Sequence, residues 1–174
     1  MKKILNKKFF NRSTITVSKE LIGKYLVRNV RGREYAYMII ETEAYDGFED
    51  KASHAYRGKT KRNEIMFQDA GKIYVYLTYG MHFMLNIVTG KEEYPAAVLI
   101  RGVEGITGPG RITKALKINK SLNAKLLNKN SGLWIEDRGV KIKKEDIIKT
   151  PRIGINYAEE WKDKPYRFLL ENRL

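Results

Sequence analysis

Hydrophobic and polar residues alternate with a period of two along several segments of the chain, which is typical of β-strands that bury one face. The pattern predicts strands at 25–27, 35–42, 73–79, 83–88 and 97–103. Turn-forming residues at 31–33 join the first two strands as a hairpin, and the last three strands form a β-meander. We therefore expect a mixed, mostly antiparallel sheet.

Two segments have apolar residues at helical spacing: 13–22, which ends before Gly23, and 111–118. Residues 46–72 carry many charges without a sustained period, which predicts a long loop. With 174 residues and 43% hydrophobic content, the chain can bury one full core. The predicted fold is α/β (α+β): one compact domain over residues 1–174, with helices flanking the sheet and a β-hairpin protruding from it.

Composition narrows the classes of partner and chemistry. The 34 lysines and arginines outnumber the 20 acidic residues and give a formal net charge of +14, which is typical of proteins that bind the nucleic-acid backbone. An acidic partner or a membrane surface would also match this charge. The absence of cysteine excludes disulfides, thiol nucleophiles and cysteine-ligated metal centres.

The chain has no sequence signal for a membrane or secretory location. Its longest uninterrupted apolar run, 96–100, is far shorter than the roughly 20 residues of a membrane span. The charged N-terminus is not followed by the apolar segment of a secretory signal. We expect an intracellular, cytoplasmic protein.

A pair of carboxylates lies at the end of the second predicted strand. If this segment is extended, the two-residue period places Glu41, Glu43 and Tyr45 on one face, and the residues between them face the core. Such a group could activate a water molecule or bind a divalent metal. It could also point into solvent, which is the commoner outcome for an isolated Glu-x-Glu motif.

Tyrosines occupy both faces of the strand predicted at 73–79. Tyr74 and Tyr76 lie on one face and Tyr79 on the other, so some of these rings face outward or into a cleft. Tyr79 and Met81 flank Gly80 at a tip narrow enough to wedge between base pairs. Packing of these side chains on a neighbouring strand is an equally open interpretation.

Several cationic residues are candidates for phosphate contact. His54 and Arg62 lie in the basic loop, although a plain surface histidine is the commoner outcome. Arg111 follows Gly108-Pro109-Gly110 at a predicted helix start, where free amides favour an anion. Arg101 ends an apolar run and needs a partner if it is buried, for which a carboxylate is the natural choice.

The order of these motifs resembles the alkyladenine (methylpurine, 3-methyladenine) DNA glycosylase family over nearly the whole chain. The resemblance rests on Phe9-Phe10, Leu21-Ile22-Gly23, Glu41-Thr42-Glu43-Ala44-Tyr45, Glu49-Asp50-Lys51-Ala52-Ser53-His54, Arg62-Asn63, Met66-Phe67, Tyr74-Val75-Tyr76, Tyr79-Gly80-Met81, Asn86, Leu99-Ile100-Arg101, Gly108-Pro109, Pro151-Arg152-Ile153-Gly154 and 161–168. It implies a monofunctional, DNA-associated repair enzyme that flips alkylated or deaminated purines out of duplex DNA and hydrolyses the N-glycosidic bond. Such an enzyme releases 3-methyladenine-type bases, leaves an abasic site, uses no metal or other cofactor, and is expected to be a monomer.

The resemblance also implies the roles of individual residues. Glu43 would be the general base that activates water, and Arg101 would help to hold both. The flipped base would lie between Tyr45, His54 and Tyr76, with Asn86 crowding the amino group of a normal guanine. Tyr79 would fill the gap in the duplex, Met81 would press on the stack, and Arg62 and Arg111 would contact DNA. Two positions depart from the pattern: His82 replaces a tyrosine of some relatives, and Arg111 replaces a common lysine.

The residues alone leave two other functions open. A metal-dependent nuclease would use Glu41, Glu43, Asp46 and Asp50 to hold magnesium, and its strand breaks would vanish with EDTA. A non-catalytic module would stack aromatic side chains on single strands and show no turnover.

Overall fold

The structure is a computed structural model that describes residues 2–171. The strands are β1 (Lys3–Ile4), β2 (Tyr25–Val30), β3 (Arg33–Asp46), β4 (Ile73–Thr78), β5 (His82–Val88), β6 (Ala96–Val103), β7 (Ile106–Thr107), β8 (Leu133–Asp137), β9 (Ile147–Thr150) and β10 (Arg167–Leu170). The α-helices are α1 (Lys7–Phe10), α2 (Thr14–Glu20) and α3 (Pro109–Ala115). Short 3₁₀ helices span Glu64–Phe67, Lys120–Leu122, Lys129–Ser131, Lys144–Asp146 and Glu159–Asp163.

The strands form one sheet with the order β1-β8-β2-β3-β6-β5-β4, while β10 pairs with β3 and β9, and β7 pairs with β6. The mostly antiparallel sheet expected from the sequence is confirmed, and the pairings between described strands include no parallel one. The hairpin predicted to protrude is β4–β5, and the loop predicted at 46–72 contains the 3₁₀ helix Glu64–Phe67.

The longest strand, β3, organises the fold. Its first part pairs with β2 and its second part with β6, with register shifts between Ile39 and Thr42. The Thr42 hydroxyl donates to the Ser18 carbonyl of α2 and accepts from the Ser18 hydroxyl, both at 2.9 Å. Because side chains alternate along a strand, α2 covers one face of β3, and Glu41 and Glu43 lie on the other. The two faces predicted for this segment are confirmed.

Helix boundaries differ from the predictions by a few residues for local reasons. The helix α2 ends two residues before its predicted end, and Gly23 follows at φ 85° with its N–H donating to the Ile39 carbonyl. The helix α3 starts two residues early because Pro109 has the φ angle of a first helical residue and lacks the N–H that would be unpaired there. Lys117, at φ 49°, prevents α3 from continuing to the predicted end.

The three C-terminal strands were not predicted, and two of them support the site. The strand β10 pairs with β3 so that Arg167 lies opposite Glu43. The strand β9 then pairs with β10 and leads into the segment that begins at Pro151. Within residues 2–171, no helix has the length and apolar character needed to cross a membrane.

Candidate active site

A cavity of about 350 Å³ opens where β4, β5 and β6 meet the loops around His54 and Ile153. It is lined by Tyr45, Ala52, Ser53, His54, Met66, Tyr74, Tyr76, Thr78, Tyr79, Met84, Asn86, Ala97, Leu99, Arg101, Pro109, Ile153, Gly154, Ile155 and Tyr157. Six of the sequence-predicted site residues therefore belong to one cavity. A larger groove of about 1210 Å³ lies on the α2 side of the molecule, and none of the predicted site residues line it.

The Glu43 carboxylate lies directly behind the wall of this cavity and is fully buried, with 0% exposure. Its Oε1 accepts the Ile153 N–H at 2.8 Å and lies 3.5 Å from Nη1 of Arg101. Its Oε2 accepts the Tyr45 hydroxyl at 2.9 Å. Tyr45, Arg101 and Ile153 all line the cavity. The Glu43 carboxylate is therefore in direct contact with three residues of the cavity wall.

Burial is the main influence on the acidity of Glu43. Removal from water disfavours the charged form and raises the pKa of this carboxyl group. The positive charge of Arg101, the Ile153 N–H, the Tyr45 hydroxyl and the charge of Arg152 act in the opposite direction. A carboxylate with a raised pKa is a stronger base than an exposed one, and these four groups keep it available in the ionised form.

The second acid of the pair, Glu41, has a different position. It is 4% exposed, and its Oε1 accepts from Nε of Arg101 at 3.1 Å and from Nε of Arg167 at 2.7 Å. The interpretation of Glu-x-Glu as a solvent-facing motif is therefore wrong, because both acids are buried and contact the partly buried guanidinium groups of Arg101 and Arg167. The carboxylate partner expected for Arg101 is confirmed.

Aromatic rings enclose the cavity on the β4 side. The His54 ring lies 4.5 Å from the Tyr76 ring at 72°, and the Tyr76 ring lies 5.3 Å from the Tyr74 ring. Nδ1 of His54 is 3.1 Å from the Tyr74 hydroxyl. His54 is exposed, as expected for a surface histidine, and it also borders the cavity. Burial of its ring and the nearby charge of Arg62 lower the pKa of His54, so the imidazole is neutral at pH 7.

Polar side chains fix the position of these rings. The Asn63 amide donates to the His54 carbonyl at 2.8 Å and to the Gly58 carbonyl at 2.9 Å, which fixes the shape of the loop that carries His54. The Asn86 amide donates to the Tyr74 carbonyl at 3.3 Å and is 4% exposed at the cavity. Burial raises the pKa of Tyr76 to about 12, so its hydroxyl stays protonated.

The tip of the β4–β5 hairpin places two large side chains in solvent. Tyr79 is 87% exposed and Met81 is 70% exposed on either side of Gly80. Tyr79 has φ 49°, a left-handed conformation that is uncommon for an aromatic residue and is maintained here by the tight turn. Of the two interpretations of these residues, outward projection is correct and packing on a neighbouring strand is wrong.

The remaining cationic candidates lie around the rim of the cavity. The guanidinium of Arg62 lies 5.4 Å from the Tyr76 ring centre and donates to the Leu77 carbonyl at 3.3 Å. Arg111 is exposed in the first turn of α3, beside Pro109 of the cavity wall. His82 packs against the same helix, since a Cβ added at Gly110 would lie 3.1 Å from its ring.

Residues 8–107 and 103–174 match the family model described as methylpurine-DNA glycosylase (MPG). The chain belongs to the methylpurine-DNA glycosylase family. It is 40% identical to a protein of Desulfitobacterium hafniense, covering 98% of this chain and 96% of that protein. It is 41% identical to a protein of Methanocella arvoryzae (97% and 93% covered) and 43% identical to one of Legionella pneumophila strain Lens (97% and 94% covered). All three relatives bear the name "Putative 3-methyladenine DNA glycosylase".

Sequence reasoning did not predict the contacts that several residues of the methylpurine-DNA glycosylase fold make at the site. Asp50 and Arg152 form a bidentate ion pair at 2.6 and 2.8 Å, and Ile153 donates its N–H to Glu43. Tyr157 is 68% exposed at the cavity mouth, with its hydroxyl 3.2 Å from the Ala52 carbonyl. The family motifs around Asp50 and Arg152 were the available signal for the ion pair, whereas no motif includes Tyr157.

The acids considered for a magnesium site do not converge. Two arginines contact Glu41, Arg152 contacts Asp50, and Oδ1 of Asp46 accepts the Tyr94 hydroxyl at 3.2 Å. In the part of the chain that the structure describes, no group of three or more histidine or acidic side chains could hold a metal ion.

Proposed function

We propose that the protein is a monofunctional DNA glycosylase that flips damaged purines out of duplex DNA and hydrolyses the N-glycosidic bond with a water activated by Glu43. The main support for this proposal is the buried Glu43 carboxylate, which lies directly behind a cavity lined by aromatic rings. A DNA substrate agrees with the net charge of +14 and with the names of the relatives.

The cavity has the properties needed to hold an extruded base. Flipping costs a few kcal/mol, whereas stacking on aromatic rings returns roughly 1 to 3 kcal/mol per base. Tyr45, His54 and Tyr76 supply such rings, and the exposed Tyr79 lies close enough to occupy the space that the base leaves in the duplex. Damaged pairs are more easily opened, so selection for a lesion begins at this step.

Glu43 supplies the chemistry at the sugar. Its Oε2 accepts the Tyr45 hydroxyl and has a second lone pair, with which it can accept a hydrogen bond from a water beside the sugar. The water gives a proton to Glu43 and forms its bond to C1′, while the electrons of the C1′–N bond leave with the purine. Arg101 favours the ionised carboxylate before the reaction and keeps it in place through its charge.

The leaving group decides which lesions react readily. A purine alkylated on a ring nitrogen carries a positive charge, is attracted to aromatic faces, and leaves as a neutral base. A deaminated purine is neutral and needs a proton or hydrogen bond as it leaves. Asn86 borders the cavity where it can crowd the amino group of guanine and thereby reduce excision of that normal base.

The test is incubation with alkylated duplex DNA, followed by chromatography of the released bases with and without EDTA. Release of 3-methyladenine in both conditions is the expected result. Strand breaks that depend on a divalent metal would instead support the nuclease. Tight, salt-sensitive binding without any released base would support the non-catalytic module and reject the enzyme.

A further inference from the structure

A fully buried ion pair lies beside Glu43 and has no part in the reaction proposed above. The side chains of Asp50 and Arg152 are both 0% exposed. Removing two charges from water costs free energy that their attraction often only balances, so stability is a weak reason for such a pair. Nε of Arg152 is moreover a buried atom for which the described residues offer no hydrogen-bond partner. Because burial of this pair costs free energy, its role is to be sought in its contacts with neighbouring residues.

Arg152 contacts β3 at the two residues that follow Glu43. Its Nη1 donates to the Ala44 carbonyl at 2.8 Å, and its guanidinium lies 4.7 Å from the centre of the Tyr45 ring. Ala44 and Tyr45 are the two residues that follow Glu43 on β3. A shift of Arg152 would therefore move the end of the strand and the ring that covers the carboxylate.

Ile153, the residue after Arg152, contacts Glu43 itself. Ile153 donates its N–H to Oε1 of Glu43 at 2.8 Å, so Arg152 also fixes the backbone donor. Asp50 accepts from the backbone N–H groups of Asp46 at 3.0 Å and Ala52 at 3.1 Å. The ion pair thus joins β3, the segment leading to the pocket histidine, and the segment that follows β9.

We propose that Asp50 and Arg152 are positioning residues that hold the Glu43 carboxylate and the Tyr45 ring in their reactive places. This inference rests on the proposed function, because it assigns a role relative to base release. The pair acts only through Glu43 and Tyr45, and it touches neither the substrate nor the attacking water.

The charges around Glu43 provide a readout that a purely structural role would leave unchanged. Arg101 faces the carboxylate from β6, Tyr45 from its own strand, and Arg152 with the Ile153 N–H from the segment after β9. The Tyr76 hydroxyl of β4 is close enough to interact with it as well. Because Arg152 lowers the pKa of Glu43, removing its charge raises that pKa. The acidic limb of the pH–rate profile then moves to higher pH.

The experiment compares Arg152→Gln with Arg138→Gln in single-turnover release of 3-methyladenine from duplex DNA. Arg138 is the control, because it donates to buried Glu136 at 2.8 Å, lies 4.2 Å from the Tyr25 ring and does not line the cavity, although its side chain is 26% exposed. Titration with duplex DNA that bears a stable abasic-site analogue counts the binding-competent molecules, so partial misfolding does not distort the rate. Arg152→Lys retains the charge but loses the bidentate geometry.

For Arg152→Gln we expect a rate at least about tenfold lower per competent molecule, with the acidic limb shifted upward. For Arg152→Lys we expect a similar loss with a smaller shift, and for Arg138→Gln neither effect. A rate within about twofold of the unaltered protein in both Arg152 variants, or an unchanged acidic limb in Arg152→Gln, would overturn the positioning role. Failure of the proposed function would be seen separately, as full activity in Glu43→Gln.

Discussion

Replacement of Glu43 by glutamine tests the proposed reaction with little disturbance of the fold. The amide oxygen can still accept the Ile153 N–H, which donates at 2.8 Å, and the amide nitrogen can donate to the Tyr45 hydroxyl. Arg101 loses a partner at 3.5 Å but keeps Glu41 at 3.1 Å. We therefore expect the melting temperature to change by no more than about 2 to 4 °C, which corresponds to roughly 1 kcal/mol in a domain of this size.

The effect on the rate is expected to be far larger. A neutral amide cannot take the proton of the attacking water, and general base catalysis contributes a factor of about 10² to 10⁴. Loss of this factor raises the barrier by about 3 to 5 kcal/mol.

The assay is single-turnover release of 3-methyladenine with enzyme in excess, so that product dissociation does not limit the rate. Glu136→Gln is the control, because it neutralises another buried carboxylate, one that accepts from Trp134 at 3.0 Å and does not line the cavity. If Glu43→Gln releases the base within about threefold of the unaltered protein, Glu43 is not the general base.

Four further outcomes follow from the geometry. Base release by the unaltered protein should fall with decreasing pH around a midpoint above 4.5, because burial raises the pKa of Glu43 and only the ionised form accepts a proton. The pH–rate profile of Glu43→Gln should not show this fall. Tyr79→Ala should leave the melting temperature unchanged, since the ring is 87% exposed, but weaken binding to lesion-containing duplex about tenfold in fluorescence anisotropy. Asn86→Ala should increase the ratio of 7-methylguanine to 3-methyladenine released from alkylated DNA, and an unchanged ratio would count against its role in excluding guanine. Asn63→Ala should destabilise the protein by about 2 kcal/mol in urea denaturation and slow base release, because the His54 carbonyl loses its 2.8 Å hydrogen bond.

The sequence allowed the two faces of β3 to be predicted, because alternation requires only local information. The burial of Glu41 could not be predicted in the same way. Its neutralising partners, Arg101 and Arg167, are 60 and 126 positions away along the chain. An isolated Glu-x-Glu motif carries no sign of such distant cations, and solvent exposure was the reasonable expectation without them.

Other parts of the site depend on similarly distant contacts. The strands β8, β9 and β10 have only four or five residues each, too few for a clear two-residue period, so they were not predicted. Arg152 meets Asp50 across 102 positions, and the residues near each gave no charge pattern that suggested pairing. Tyr79 is an intermediate case, since the glycine turn between large side chains indicated a narrow tip, whereas packing of the ring on a neighbouring strand stayed equally open in the sequence.

The pairing of β3 on both sides has a consequence for how the protein can adapt. Glu43 lies opposite Leu99 of β6 and Arg167 of β10, so its backbone is part of two ladders at once. Amide protons in such a segment exchange with solvent only through large-scale unfolding, whereas hairpin tips and loops open easily. Heating should therefore abolish catalysis only when the whole domain melts. If the proposed function holds, we expect changes in lesion preference to arise at the exposed positions around Tyr79 and His54, while the acid itself stays fixed.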